Sequence, residues 1–205
     1  MAANYNNSAW FYDSLAKLVY GRALINAQVY LLQFVPPGSN ILIVGGGTGR
    51  ILEELTRLHP SGLTITYVEV AVNMMALSRK RNVGTNQVNF ITNAIENVAL
   101  PSGFDLIITP FLFDNFTEQT LQKVFKHLHP QLKPGGLWLN TDFQLTGKWW
   151  QKVLLKNMFA FFKLVCHIEA SALPDIEKQF AQKNYSVIAQ KTFFGEFIIS
   201  KTYRK

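Results

Sequence analysis

The chain has 205 residues, 48% apolar and 16% charged, so it can fold around one sizeable hydrophobic core and is not a disordered chain. Its one cysteine, Cys166, excludes an internal disulfide and a cysteine-based metal cluster. The net charge of +7 is uneven, because residues 1–119 carry 7 basic and 8 acidic side chains and residues 120–205 carry 13 and 5. The N-terminus, MAANYNNSAWFYD, has neither the basic start nor the apolar run of a signal peptide, and no stretch is as long as a membrane span. We therefore expect a cytoplasmic protein.

Residues 1–35 carry apolar side chains at helical spacing, with Gly21 as a point of division, and Pro36 and Pro37 end this helical region. Strands and helices then alternate, which is typical of a parallel sheet with helices on both faces. The predicted strands are 40–44, 64–69, 88–91, 104–109 and 137–142. The predicted helices are 49–58, 72–82 and 117–129, with Pro134-Gly135-Gly136 as a turn.

The C-terminal part is different. Two predicted helices, 148–166 and 172–183, precede two strands, 185–194 and 196–203, joined at Gly195. Such a pair predicts an antiparallel hairpin at the sheet edge. We therefore expect one α/β domain, 1–205, with a doubly wound, mostly parallel, seven-stranded sheet. Residues 1–35 would form an N-terminal helical cover, and 143–184 a helical cap inserted before the last two strands.

A glycine loop is the most informative motif. The apolar strand 40–44 runs into Gly45-Gly46-Gly47-Thr48-Gly49, which opens a helix whose free N–H groups can face a polar ligand. Glu69 ends the next strand, where an acid can accept hydrogen bonds from ribose hydroxyls. The pattern predicts a nucleoside site at the carboxyl ends of the strands.

The spacing of this loop favours a nucleoside without a pyrophosphate. Arg50 stands where the dinucleotide fingerprint G-x-G-x-x-G has its last glycine. No lysine lies where a phosphate-binding P-loop needs one.

Five motifs in order resemble the class I S-adenosylmethionine-dependent methyltransferases, of the type that acts on small molecules. ILIVGGGTGR is similar to the family's V-L-D-L-G-C-G-T-G, and VEVAVNMM, from Val68, to V-D-x-S-x-x-M-L. FITNAIEN, from Phe90, resembles F-x-x-G-D-A-E-D, while FDLI at Phe104 and LKPGG at Leu132 resemble F-D-x-I and L-K-P-G-G. The resemblance covers most of the chain and implies the Rossmann-like methyltransferase fold.

The resemblance also implies the cofactor S-adenosylmethionine and the residues that hold it: Gly45, Gly46, Gly47, Thr48, Gly49, Glu69, Val70, Met74, Asn93, Ala94, Ile95, Pro110 and Phe111. Two positions depart from the family pattern. Ile43 stands where the family has an acid near the methionine amino group, and Ala94, preceded by Asn93, stands where it has an aspartate near the adenine. These departures keep open a module that binds the cofactor without catalysis.

Methyl transfer needs a base only if the acceptor must lose a proton. The candidates are Asp114 after the fourth strand, His167 after the late helix, and Tyr12, which lies with Tyr5, Trp10 and Phe11 in a segment that can cover the site. Each has a plain structural alternative: Asp114 as a loop or capping residue, His167 as a surface or core histidine, and the aromatic residues as packing.

Motifs of other methyltransferase classes are missing. Thr109-Pro110-Phe111-Leu112 is not the N/D-P-P-Y/F motif of nucleobase amino methylation, and Cys166 is far from the position of a cytosine nucleophile. Asp114, Asn115 and Asp142 match the spacing of a catechol-type metal site poorly. We expect no metal and no nucleic acid as partner.

The segment KWWQKVLLKNMFAFFKLVC, 148–166, places Lys148, Lys152, Lys156 and Lys163 on one helix face among apolar and aromatic residues. No acid occurs between Phe143 and Ile168. This pattern is typical of a membrane interface or of an apolar substrate tunnel, although a core helix with one wet stripe remains an alternative. The expected function is methyl transfer to a small, apolar, lipid-like or quinone-like acceptor, with peripheral membrane contact through 148–163. The enzyme alternative is a nicotinamide oxidoreductase.

Overall fold

The computed structural model of the protein describes residues 18–166 and 170–205. The strands are β1 Asn40–Val44, β2 Thr64–Glu69, β3 Gln87–Thr92, β4 Phe104–Pro110, β5 Leu132–Phe143, β6 Ser186–Phe193 and β7 Ile198–Arg204. The helices are α1 Ala23–Leu32, α2 Arg50–Leu58, α3 Val72–Ser78, α4 Glu118–Leu128, α5 Trp149–Cys166 and α6 Ile176–Gln182. The predicted helical cover is described from residue 18 onward, and Gly21, at φ +59°, separates a helical turn from α1.

The strand order is β3-β2-β1-β4-β5-β7-β6. β3, β2, β1, β4 and β5 pair in parallel, β7 is antiparallel to β5, and β6 is antiparallel to β7. This arrangement confirms the predicted seven-stranded sheet with a C-terminal hairpin. The chain order reverses direction across the sheet between β1 and β4, the place where open α/β sheets form ligand crevices.

Two hydrophobic clusters cover the two faces of the sheet. On one face, Leu52 and Leu55 of α2 pack with Ile41 and Ile43 of β1. On the other, Phe125 of α4 and Phe180 of α6 pack against Trp138 of β5; the rings of Phe125 and Trp138 are stacked 4.9 Å apart. The alternation of β1 side chains between the two clusters reflects the twofold period of a strand.

A third cluster joins α5 to the edge of the sheet. Leu155, Phe159 and Cys166 of α5 pack with Ala27 of α1 and Phe197, just before β7. Of the predicted cap 143–184, α5 takes this position over the strand ends, whereas α6 lies in the core beside α4.

Three predicted boundaries were wrong. The turn at 134–136 lies within β5, because Gly135 and Gly136 exchange backbone hydrogen bonds with Lys205. α3 ends at Ser78 rather than at 82, because the next amides bond to carbonyls three residues back instead of four. Lys80 N–H donates to the Leu77 carbonyl and Arg81 N–H to the Ser78 carbonyl.

The third concerns α6, which begins at Ile176 rather than at 172. Pro174 precedes it, and the Asp175 carboxylate caps it by accepting from the Lys178 amide at 3.0 Å.

Candidate active site

A cavity of about 1020 Å³ opens at the carboxyl ends of β1, β2 and β4. One part is lined by the glycine loop after β1, by the end of β2 and by the loop after β3. The other part is lined by the residues after β4, by Phe143 at the end of β5 and by side chains of α5. The topology therefore brings the predicted nucleoside site and the predicted cap into one continuous space.

Two residues of β2 hold the glycine loop. The amide of Gly47 donates to Glu69 Oε2 at 3.0 Å, and the hydroxyl of Tyr67 donates to the carbonyl oxygen of Gly47 at 3.0 Å. Gly46 must be glycine, because a Cβ there would lie 2.4 Å from the Tyr67 ring. Gly47 has φ +61° and no neighbouring atom within 4 Å of a Cβ, so a side chain would project into open space at the cavity wall. The loop is thus a shallow cradle that only a glycine backbone leaves open for a ligand.

Glu69 presents a buried carboxylate to this cradle. Its Oε1 accepts from the amide of Ala71 at 2.9 Å, and its Oε2 from Gly47. Burial raises the pKa of Glu69, although the amides of Ala71, Gly47 and Val70 act in the opposite direction. Each carboxylate oxygen has a second lone pair, so Glu69 can accept further hydrogen bonds from a pair of ribose hydroxyls.

The structure brings most of the predicted cofactor residues together. Twelve of them line the cavity: Gly45, Gly46, Gly47, Thr48, Glu69, Val70, Met74, Asn93, Ala94, Ile95, Pro110 and Phe111. Gly49 is not among the lining residues. It adopts φ +80° at the start of α2, and a Cβ there would meet Ser78 at 2.7 Å, so its role is close packing of α2 against α3.

The two departures from the family pattern have different positions. Ile43 is fully buried in the cluster with Tyr67 and does not line the cavity, so it does not stand in the way of a ligand's amino group. Ala94 lines the cavity with Asn93, whose Oδ1 accepts from the Ala94 amide at 2.9 Å. This bond leaves the Asn93 NH₂ group as a donor near the place predicted for an adenine.

The loop after β4 turns sharply into the cavity. Phe111 has φ +51°, a conformation that costs a bulky residue energy and is common at binding sites. Its amide donates to Thr141 at 2.7 Å, and the Asn115 side chain donates to its carbonyl at 3.0 Å, so neighbouring groups hold it there. The Phe111 ring lies 5.1 Å from that of Phe143 and starts the apolar part of the cavity.

Side chains of α5 continue that apolar wall. Leu154, Met158, Phe161 and Phe162 line the cavity, together with Asn157. Tyr20 reaches the same region, since its hydroxyl contacts Met158 Sδ at 3.5 Å and its ring lies 5.7 Å from that of Phe143. The cap prediction placed aromatic side chains here, and the structure selects Phe161 and Phe162 for the wall while Phe159 packs in the core.

Two buried carboxyls meet below this part of the cavity. Asp114 lines the cavity and is 7% exposed, and Asp142 is fully buried. Asp142 accepts from the amides of Phe113 at 3.1 Å and Phe143 at 2.9 Å, while Asp114 Oδ1 accepts from the Asn115 side chain at 2.8 Å.

Their surroundings favour the neutral form. Burial raises the pKa of Asp142 to about 7 against the effect of the backbone amides. Burial and then the charge of Asp142 raise the pKa of Asp114 well above its usual value. A raised pKa makes each carboxylate, once it is ionised, a stronger base than an exposed aspartate, and Asp114 is the one of the two that lines the cavity. The capping role considered for Asp114 belongs instead to Thr117, whose hydroxyl accepts from the Thr120 amide at the start of α4.

Sequence reasoning missed Tyr67, Tyr20 and Phe143 as parts of the site. Tyr67 lies in the middle of a buried strand, where nothing in the local pattern distinguishes it from a core residue.

The other two candidates for a base, Tyr12 and His167, lie outside the described residues. Within residues 18–166 and 170–205, no three His, Cys, Asp or Glu side chains are grouped as metal ligands, and no helix is both long and apolar enough to cross a bilayer.

Comparison with known proteins agrees with this geometry. A family model described as a methyltransferase domain matches residues 41–136, which contain the glycine loop, Glu69 and Asp114. The malonyl-[acyl-carrier protein] O-methyltransferase of Priestia megaterium is 31% identical over 139 residues, 68% of this chain and 49% of that protein. The ubiquinone/menaquinone biosynthesis C-methyltransferase UbiE of Wigglesworthia glossinidia brevipalpis is 30% identical over 172 residues, 80% of this chain and 63% of that protein. The chain thus spans about half to two thirds of the length of these two relatives.

Among solved structures, the N-methyltransferase NodS from Bradyrhizobium japonicum, in complex with S-adenosyl-L-homocysteine, superposes with a TM-score of 0.67 at 13% identity. The match covers 90% of this chain and 87% of that one. At that identity the likeness shows the fold, and the sequence relatives favour a methyltransferase over a nicotinamide oxidoreductase. From its motifs, its sheet and these relatives, the chain belongs to the class I S-adenosylmethionine-dependent methyltransferase family.

Proposed function

We propose that this protein transfers a methyl group from S-adenosylmethionine to a small, apolar acceptor of lipid-like or quinone-like character. The observation that carries the proposal is the single cavity that joins the glycine loop and Glu69 to the apolar wall of α5. The relatives named above act on an acyl-carrier-bound malonyl group or belong to quinone biosynthesis, which agrees with such an acceptor. We place the reaction in the cytoplasm.

The residues of the donor part fit this cofactor. Glu69 would accept from the ribose hydroxyls, Asn93 would donate at the adenine edge, and the loop 45–48 would lie against the cofactor through its backbone. When bound, S-adenosylmethionine supplies a methyl group that is already activated by its sulfonium charge. The protein therefore has to align the acceptor and exclude water.

The acceptor part provides the exclusion of water. Phe111, Phe143, Leu154 and Met158 present apolar surface between the end of β4 and α5. An apolar acceptor loses little hydration free energy on entering such a wall, whereas a charged one loses a great deal. This difference is the reason for assigning an apolar acceptor.

Asp114 is the group that we assign to proton transfer. It lines the cavity beside the apolar wall, and the groups that face it are Asp142 of β5 and Tyr20 of the N-terminal region. As the bond from the methyl carbon to the acceptor forms and the bond from sulfur to carbon breaks, the proton of an acceptor O–H or C–H would pass to the Asp114 carboxylate. The loop of 3₁₀ character at Phe113–Asn115 keeps this carboxyl at the wall.

The test starts with calorimetry of S-adenosylmethionine and NAD, followed by transfer assays with isotopically labelled donor. The acceptor set pairs quinols and fatty acids with long apolar tails against the same head groups without tails, and includes total RNA. We expect binding of S-adenosylmethionine, no binding of NAD, and label only on tailed acceptors. Label on RNA or on tail-less acceptors would refute the apolar acceptor, and donor binding without transfer to any acceptor of the set would favour the non-catalytic module.

A peripheral membrane contact through 148–163 is part of the proposal, because tailed acceptors reside in bilayers.

A further inference from the structure

The exposed face of α5 consists of two adjoining stripes. At 100° per residue, Lys152, Lys156 and Lys163 fall together on one side. Trp149, Val153 and Leu164 fall next to them, and Asn157 follows on the far side of that apolar stripe. Around the helix, the order is thus lysines, exposed apolar residues and then cavity wall.

The apolar stripe is strongly exposed. Trp149 is 76% exposed, Val153 51% and Leu164 81%. Three large apolar side chains so exposed on one helix face indicate a surface that is covered in use, because isolated exposed residues are common but aligned ones are not.

The lysine stripe is smaller than the sequence predicts. Lys148 donates to Glu196 at 2.8 Å and to the carbonyl of Gly195 at 3.1 Å, so its charge is already compensated. Lys152, Lys156 and Lys163 have no ion-pair partner within the described part of the chain, and no acid lies between Phe143 and Ile168. Three cations without an ion-pair partner in residues 18–166 and 170–205, next to an apolar stripe, are complementary to an anionic surface with an apolar interior.

The cavity opens next to these stripes. Asn157 is exposed and also lines the cavity, and it follows the apolar stripe around the helix. A surface that covers Trp149, Val153 and Leu164 would therefore border the mouth of the acceptor part.

We propose that the α5 face formed by Trp149, Val153, Leu164, Lys152, Lys156 and Lys163 docks on anionic lipid bilayers and places the cavity mouth at the membrane surface. The proposed function enters this inference only as the reason for docking, which is to receive a tailed acceptor from the bilayer. A second copy of the chain is a poorer occupant, because a twofold interface on this face would bring the lysines of both copies together.

The test measures binding of the full chain to vesicles of phosphatidylcholine alone and of phosphatidylcholine with phosphatidylglycerol. We expect co-sedimentation that requires phosphatidylglycerol and weakens with salt. The triple variant K152Q/K156Q/K163Q should bind roughly a hundredfold more weakly, since each lysine near such a surface contributes roughly fivefold. The variant K126Q/K178Q/K183Q has the same net charge but loses exposed lysines elsewhere, and K148Q loses a compensated one; both should bind almost like the parent protein.

Tryptophan fluorescence reports the apolar stripe directly. In a W10F background, vesicles should shift the emission to the blue, and adding W149F should remove most of that shift. Of the two tryptophans that remain, Trp138 is buried in the core and Trp150 is half-buried against Phe194 and Phe197. Equal loss of binding in both triple lysine variants, or no vesicle binding, would overturn the inference. Self-association that is abolished in the variant W149S/V153S/L164S would overturn it in favour of a second copy.

The outcomes separate the two proposals. Donor binding and transfer without vesicle binding would remove the membrane contact and leave the methyltransferase function. Vesicle binding without donor binding would remove the methyltransferase function and leave the membrane contact.

Discussion

The hydroxyl of Tyr67 donates a 3.0 Å hydrogen bond to the carbonyl oxygen of Gly47, so a buried side chain of β2 holds the glycine loop from below. Tyr67 is the register partner of Ile43, the residue that replaces the family's acid. The apolar Ile43 cannot bond to the glycine loop through its side chain, and its neighbour on β2, Tyr67, holds the loop instead.

Replacing Tyr67 by Phe should therefore weaken donor binding. The Gly47 carbonyl would lose its donor in a partly buried place, a loss of about 1–3 kcal/mol at most, which affects both stability and the shape of the loop. Calorimetry with S-adenosylmethionine and thermal unfolding measure the two parts. Tyr185→Phe is the matched control, because the Tyr185 hydroxyl pairs with His129 outside the cavity and its loss should affect stability alone. Unchanged donor affinity in Tyr67→Phe would show that the loop keeps its shape without this bond.

Glu69→Ala should cost about 1.5–3 kcal/mol of donor binding, through loss of charge-assisted hydrogen bonds. Glu177→Ala serves as a control, since Glu177 pairs with Lys201 and Tyr203 away from the cavity. If both variants bound S-adenosylmethionine equally well, Glu69 would have no part in the donor site.

The same carboxylate predicts a pH dependence of binding. Only the ionised form of Glu69 accepts hydrogen bonds on both oxygens, and burial raises its pKa above the ordinary 4.5. Donor affinity should therefore fall as the pH drops through this raised pKa, sooner than for an exposed glutamate. Calorimetry over a pH series checks the sign, and an affinity that increases on acidification would contradict it.

Asp114→Asn should abolish or strongly reduce methyl transfer and leave the affinity for S-adenosylmethionine unchanged. The amide cannot take a proton from the acceptor, while the donor part of the cavity keeps its residues. Loss of donor affinity together with activity would instead indicate a structural role.

This variant should also change the dependence of stability on pH. The raised pKa values mean that the folded chain keeps a proton that unfolded aspartates release above about pH 4. Because of this pair, the free energy of unfolding should fall as the pH rises from about 4 through about 7. Removing one carboxyl should stabilise the protein at alkaline pH and have little effect below the ordinary value of 3.8, as thermal unfolding at both pH values can show.

Leu154→Trp should make the enzyme select acceptors with shorter apolar tails. The larger side chain would fill part of the apolar wall, so KM should rise for long-tailed acceptors with little change in donor affinity. Val153→Trp places the same indole side chain on the exposed face of the same helix and should leave the kinetics with acceptors free in solution unchanged. Equal kinetics of the two variants would place the acceptor elsewhere.

The basic C-terminal half should not bind RNA at physiological salt. Several of its lysines are engaged, such as Lys133 with Asp105 and Lys201 with Glu177, which disperses the charge. A filter-binding titration with a steep negative salt slope would contradict this prediction and reopen a nucleic-acid acceptor.

Local pattern in the sequence was enough for the elements of the sheet and for a nucleoside site, and the family resemblance added the cofactor. The buried strand before the glycines, the acid at the end of β2 and the paired C-terminal strands each depend on neighbours within a few residues, and family membership confirms the fold and S-adenosylmethionine as predicted. Such signals are local because strand period, glycine conformation and helix termini are properties of short segments.

Contacts between distant segments could not be predicted in the same way. Tyr67 meets Gly47 through strand register, Asp114 meets Asp142 because β4 and β5 are neighbours in the sheet, and Lys148 meets Glu196 because the hairpin returns beside α5. The sequence predicted four lysines on one helix face, and in the fold the charge of one of them, Lys148, is paired with Glu196. Burial, pairing and pKa depend on which segments lie side by side, and that arrangement exists only in the folded chain.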